Sequence, residues 1–212
     1  MKLTPTSFAM LTLLARRSLS AYELNKVMQN SVLRAFWPRA ESHVYSEPKK
    51  LAAAGLVTCT EEKGRGRGRT VYHITEEGRD ALRAWLDERT ESYATQQFEG
   101  MVKFICADCG DVESLRRNLH DMRERALLDA QAVRHGIGEA RQALAEPGAS
   151  GMPFNAIAIH YLIDLIELRL RWVAQSLTAL EAVESTADTP ANRELGAGYY
   201  DEAVSRLEGL MP

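Results

Sequence analysis

His43-Val44-Tyr45-Ser46-Glu47-Pro48-Lys49-Lys50-Leu51-Ala52-Ala53-Ala54-Gly55-Leu56-Val57-Thr58-Cys59-Thr60 runs into a basic turn and then Thr70-Val71-Tyr72-His73-Ile74-Thr75-Glu76-Glu77, and this stretch decides the fold. Val44 and Leu51 stand two helical turns apart and predict a helix over 41–54, with Gly55 placed to end it in a left-handed conformation. Leu56 to Thr60 reads as a strand, the Gly/Arg run 64–69 as a turn, and Thr70 to Ile74 as a returning strand with Tyr72 and Ile74 on one face. Thr75 caps the next helix and puts Glu76 and Glu77 in its first turn, where the helix dipole favours acids. Pro48 is awkward, because it cannot donate to the carbonyl four residues back; the helix is expected to start late or bend there.

Working outward, Phe8, Leu11, Leu14 and Ala15 recur at helical spacing and predict a helix over 5–16. Ser20 caps a second helix running to about Gln29, with Tyr22, Leu24, Val27 and Met28 on its apolar face, before the Phe36-Trp37-Pro38 break. The order helix, helix, helix, hairpin, helix is that of a winged helix-turn-helix, complete by about residue 90. Ser92 to Gln97 is polar and aperiodic and reads as a joint. A helical stretch over 99–145 follows, closed by the loop Glu146 to Gly151. The fold class expected is mainly α with a small β-hairpin wing: a winged domain over 1–91, then an all-α domain over 92–212.

On the long helix after that loop lie two adjoining apolar stripes, one through Leu162, Ile166, Leu170, Val173, Leu177 and Leu180, the other through Tyr161, Leu165, Leu168, Trp172 and Ala179. Together they make a face wider than one neighbouring helix needs, so this helix is expected to pack within its own chain and against a second copy. Leu162, Leu165, Leu168, Trp172 and Leu177 are the candidate dimerisation residues. A last helix is expected over about 190–209.

The composition, 45% apolar and 26% charged, is that of a chain able to bury a core. The net charge of −3 hides an asymmetry: residues 1–92 carry a surplus of four positive charges and the remainder a surplus of seven negative ones, so only the first half attracts a polyanion. The apolar run 157–180 is broken by Asp164, Glu167, Arg169 and Arg171, which argues against a membrane span; no secretory leader is read at the N-terminus, and three cysteines give no disulfide framework. A cytoplasmic location is expected.

The run Lys63-Gly64-Arg65-Gly66-Arg67-Gly68-Arg69 alternates residues without side chains and long cations, so guanidinium groups project from the hairpin, where they suit paired hydrogen bonds to phosphate or insertion into a minor groove. It matches neither nucleotide-binding glycine pattern. The helix over 41–54 would be the recognition helix: Tyr45, Lys49 and Lys50 suit phosphates, while Ser42, His43 and Ser46 are short enough to read base edges.

Leu19-Ser20-Ala21-Tyr22-Glu23-Leu24, Phe36-Trp37, Val44-Tyr45, Leu51, Gly55-Leu56-Val57, Tyr72 to Arg79 and Trp85-Leu86 resemble the signature of the PadR family of bacterial regulators, in the right order over residues 5–90. Residues 95–182 are more loosely similar to the helical C-terminal domain of that family's longer members. The resemblance implies a homodimeric repressor on double-stranded operator DNA, released by a small aromatic or lipophilic effector, with Tyr22, Tyr45 and Lys49 falling where family members touch the DNA backbone. Pro48 and the helix after Pro190 depart from the pattern.

Cys106-Ala107-Asp108-Cys109 supplies two thiols but no second ligand pair, so a metal or thiol sensor is a minor alternative to an ordinary helical surface. His160, Asp164, Glu167 and Arg171 read as a surface or interface ion-pair row. Phe104, Phe154, Tyr161 and Trp172 are the candidate walls of an effector pocket, against the alternative of ordinary core. No nucleophile elbow, carboxylate pair, phosphate loop or metal triad can be assembled, so neither enzymatic activity nor a cofactor is expected. A protein-interaction adaptor is the remaining alternative, disfavoured by the basic hairpin.

Overall fold

The computed structural model describes residues 3–38, 40–62, 68–90, 94, 96–145 and 153–211, without the side chains of Glu41 and Ala143. The chain divides into two compact units, Met1–Ala94 with Gly151–Ile159, and Thr95–Ser150 with His160–Pro212. The Glu146 to Gly151 loop, half of the Ser92 to Gln97 joint, and Arg65 and Arg67 of the basic run lie outside the described residues.

In the first unit the order is α1 (Pro5–Arg16), β1 (Leu19–Ser20), α2 (Ala21–Asn30), α3 (Leu33–Phe36), α4 (Glu41–Ala53), β2 (Val57–Glu62), β3 (Arg69–Ile74) and α5 (Glu76–Asp87). Thr4 and Ser7 form a reciprocal capping box at the start of α1, and Ser20 and Glu23 do the same for α2, so side chains satisfy amides that each first helical turn leaves without partners. The sheet order is β1-β3-β2, all antiparallel: Leu19 and Ser20 pair with Tyr72 and Val71, and Val57 to Glu62 run opposite Ile74 to Arg69. The wing is thus a three-stranded sheet; its two-residue third strand and the one-turn α3 were not among the sequence expectations.

Met10, Leu11, Leu24, Val44 and Leu51, all fully buried, join α1, α2 and α4 in one core with Val57 and Tyr72 from the sheet and Leu82 from α5. At about 25 cal/mol per Å² of apolar surface removed from water, such burial is what holds short helices together. Phe8 of α1 stacks flat on Trp85 of α5, ring centroids 4.5 Å apart. Gly55 takes φ +73° after α4, the left-handed stop that glycine permits. At Gly78 close approach decides the residue, since a Cβ there would lie 2.1 Å from the Leu56 carbonyl oxygen.

α4 begins at Glu41 rather than late, and runs as one helix through Pro48, which is itself fully buried. Beside it Glu47 is also buried, accepting a hydrogen bond from the buried Ser7 hydroxyl of α1 at 2.5 Å and pairing with Lys50 at 3.2 Å. The inward stripe of α4 is therefore Val44, Glu47, Pro48 and Leu51, one carboxylate among three hydrocarbon side chains.

The second unit comprises α6 (Glu99–Ile105), a 3₁₀ turn at Ala107–Cys109, α7 (Val112–Leu144), the later part of α8 (Pro153–Ala179), a second 3₁₀ turn at Leu180–Ala182 and α9 (Pro190–Glu208). The single helical stretch expected over 99–145 is broken near Gly110, where Asp111 accepts from the Ser114 amide and restarts the helix. Leu115, Leu119 and Met122 of α7 pack with Val173 and with Leu180 beyond α8, flanked by Phe98, Phe104 and Trp172. Asn118 holds the Gly100 carbonyl, Arg116 the Leu180 carbonyl, and Arg169 of α8 pairs with Asp129 of α7 at 3.2 Å while lying over the Phe98 ring. Among the described residues, no helix is long and apolar enough to cross a membrane.

Candidate nucleic-acid interface

The start of α2, the exposed side of α4 and one strand build a cleft of about 680 Å³ on the first unit. The capping box fixes where α2 begins, which places Tyr22 in its first turn, two-thirds exposed, and Lys26 one turn later on the same side. Burial of Val44, Glu47, Pro48 and Leu51 turns the opposite side of α4 to solvent, with Ser42, His43, Tyr45, Ser46, Lys49 and Lys50 all exposed. Tyr45 and Lys49, one turn apart, line the cleft opposite Tyr22 and Lys26; Arg69, Thr70 and Tyr72 of β3 complete it.

Of the residues singled out in the sequence, Tyr22, Tyr45, Lys49 and Arg69 are thus brought together. Ser42, His43, Ser46 and Lys50 lie on the exposed side of α4 but do not line the cleft. Ser46 donates back to the His43 carbonyl at 3.1 Å, and the Lys50 ammonium is shared with Glu47.

Arg69 stands at the start of β3, tied to two carboxylates. Its Nε donates to Glu62 Oε2 at 2.8 Å, its Nη2 lies 2.8 Å from the same oxygen, and its Nη1 donates to Glu23 Oε1 at 3.3 Å. These contacts stabilise the guanidinium charge and raise its pKa, the hydrogen bond to Glu62 most. Glu23 is held below the usual carboxylate range by the Ser20 amide and hydroxyl first, and then by Arg69 and Arg17. Burial pushes the Tyr72 hydroxyl above its ordinary pKa, keeping a neutral phenol at the cleft.

Lys26 and Glu47 were missed in the sequence. A helical wheel starting at Tyr22 would have found Lys26, four residues on. The signal for Glu47 was its spacing, three after Val44 and four before Leu51, which puts a carboxylate on the inward stripe.

In the second unit Phe104 meets Trp172 edge to face at 4.9 Å. Phe154, grouped with the first unit, and Tyr161 are exposed. The cleft found in the second unit, about 240 Å³ between the Ala107–Cys109 turn, the segment 183–186 and α9, is lined by other residues, among them Leu115, Val183, Leu195 and Tyr199. Of the dimerisation candidates, Leu162, Leu165, Trp172 and Leu177 are half-buried and Leu168 exposed. His160, Asp164, Glu167 and Arg171 are exposed, with no ion pair joining them among the described residues. Cys106 and Cys109 are exposed free thiols; the neighbouring Asp108 carboxylate raises the Cys109 pKa, and among the described residues no three His, Cys, Asp or Glu side chains are grouped to hold a metal.

The chain is 30% identical over 160 residues to the negative transcriptional regulator PadR of Bacillus subtilis, an alignment covering 74% of this chain and 84% of that one. The chain belongs to the PadR-like family of transcriptional regulators. The model of that family matches residues 10–84, from α1 to α5. The PadR fold extends further: the crystal structure of B. subtilis PadR in complex with operator DNA superposes with a TM-score of 0.73 at 18% identity, covering 85% of this chain and 99% of that one. The same protein in complex with p-coumaric acid superposes with a TM-score of 0.66 at 19% identity, covering 82% and 98%. In this PadR-like regulator the winged-helix unit carries the cleft.

Proposed function

We propose that this regulator is a homodimeric repressor whose first 91 residues bind operator DNA and whose residues 92–212 supply the dimer contact and an effector site. The observation that carries the reading is the convergence of Tyr22, Lys26, Tyr45 and Lys49 on one cleft: two phenols and two ammonium groups, from two helices, face a single concave surface. Phosphate oxygens are the ligands that such donors hold, and phosphate contacts set the register in which an exposed helix face reads bases. Ser42, His43 and Ser46 are the base-reading candidates, and Arg65 and Arg67 extend the contact from the wing.

Leu162, Leu165, Leu168, Trp172 and Leu177 cover one another across the dimer, which would shield the apolar surface that α8 leaves accessible. A relative described as a negative regulator and crystallised with operator DNA and with p-coumaric acid supports repression and release by a small aromatic acid. Such an effector acts by favouring a spacing of the two winged units that fits the operator less well. Phe104 and Trp172 are the candidate residues to meet it. The thiol-sensor alternative is weakened by the raised pKa of Cys109, because the thiolate is the reactive form.

Capture of genomic fragments by the purified protein at about 150 mM salt, where non-specific phosphate binding is weak, tests the reading. A recurrent inverted repeat is expected. No enrichment would refute it. With the captured site in hand, replacing Arg65 and Arg67 by Ala is expected to weaken binding, and unchanged affinity would remove the wing from the interface.

A further inference from the structure

Arg69 belongs by sequence to the basic run of the wing, yet its guanidinium is already committed. Glu62, its register partner on β2, takes Nε and Nη2 at 2.8 Å, and Glu23 takes Nη1 at 3.3 Å. The other oxygen of Glu23 accepts from the Ser20 amide at 2.8 Å and the Ser20 hydroxyl at 2.7 Å, closing the cap of α2. One carboxylate thus joins the first turn of α2, which carries Tyr22, to the last pair of the β2–β3 ladder, at the turn end of the wing hairpin. Counting Glu23, Glu62 and Arg69 together, the local charge is −1, so the cluster as a whole offers no net attraction for a polyanion.

We infer that Arg69 is a positioning residue rather than a phosphate contact: it fastens the wing hairpin to the capped start of α2, fixing the angle at which the wing and the α2–α4 cleft meet one duplex. A planar guanidinium presents its donors to both carboxylates in a fixed fork, a geometry that an ammonium does not reproduce. The inference rests on the operator-binding reading.

The test uses the full-length chain with Arg69→Ala, Arg69→Lys and Glu62→Gln, binding of the captured operator and of an unrelated duplex across a salt series, and hydrogen exchange without DNA. Loss of the strut should weaken operator binding by about tenfold, more than it weakens the unrelated duplex, with the salt slope unchanged. Lysine should not restore it, and amides of β2 and β3 should exchange faster in the free protein. Glu62→Gln gives the sharpest sign: it removes a negative charge beside the interface, yet operator preference should fall.

The inference is overturned if Arg69→Ala lowers the salt slope by about 0.9 and weakens both duplexes alike, as a lost phosphate contact does. It is equally overturned if Glu62→Gln tightens binding to every duplex, or if hairpin exchange is unchanged. Absence of any operator preference in the unaltered protein would sink the operator reading, while the exchange experiment would still decide whether Arg69 holds the wing.

Discussion

Replacing Ser7 by Ala should be among the most damaging single-atom deletions in the winged unit. Ser7 is fully buried, and its hydroxyl donates to the buried Glu47 carboxylate at 2.5 Å while also accepting from the Thr4 amide at 3.0 Å. A hydrogen bond to a charged group contributes about 1.5–3 kcal/mol, and the substitution also opens half of a capping box, so a loss of about 2–3 kcal/mol is expected. Lys50 still pairs with Glu47 at 3.2 Å, which keeps the loss from growing further. At roughly 4–8 °C per kcal/mol for a unit of this size, calorimetry should show the winged unit melting about 10–20 °C lower. Replacing Glu47 by Met in the same protein should recover part of that loss, since it removes a buried charge short of partners. A Ser7→Ala protein within about 0.5 kcal/mol of the parent would refute the account of how α4 is held against α1.

Gly78→Ala would set a Cβ 2.1 Å from the Leu56 carbonyl oxygen, so urea unfolding should report a loss of at least about 1–3 kcal/mol; an unchanged midpoint would contradict the close packing of α5 on the start of β2. Lys49→Ala should lower the slope of log affinity against log salt by about 0.9, and an unchanged slope would mean that Lys49 holds no phosphate. Removing the negative charge with Asp108→Asn should lower the Cys109 pKa and speed its alkylation at neutral pH, read by peptide mass spectrometry; no change in rate would dismiss the Asp108 effect. Because the Glu23 pKa is depressed in the fold, its contribution is present above its ordinary value of 4.5 and is lost as pH falls through the folded value. Stability curves of the parent and of Glu23→Gln should therefore converge on acidification, and curves that stay parallel would exclude it.

The elements whose signals are local were legible before any coordinates. The caps Ser20 and Thr75, the stop at Gly55 and the inward pair Val44 and Leu51 place α2, α5 and α4 within a residue or two of where they lie. What was not legible depends on distant partners. Leu19-Ser20 is a strand only because Val71 and Tyr72 lie beside it, and Glu47 is tolerated on a buried stripe because Ser7, forty residues earlier, supplies a donor. The rule for isolated helices makes Pro48 a breaker, but here the helix continues through it with the ring fully buried. For the site, the exposed face of α4 followed from periodicity. The diversion of Arg69 could not, since its carboxylates come from α2 and β2.

The placement of β3 in the middle of the sheet has a thermodynamic consequence. β2 lies along one side of it and β1 covers the other at Val71 and Tyr72, and Ser20, the residue that pairs with Val71, is also the cap of α2. Ordering a flexible strand costs about 1–2 kcal/mol of conformational entropy per residue. Here that cost falls on folding, before any ligand arrives. A hairpin anchored through β1 to the start of α2 meets its partner already aligned, so the free energy of each new contact appears more fully as affinity.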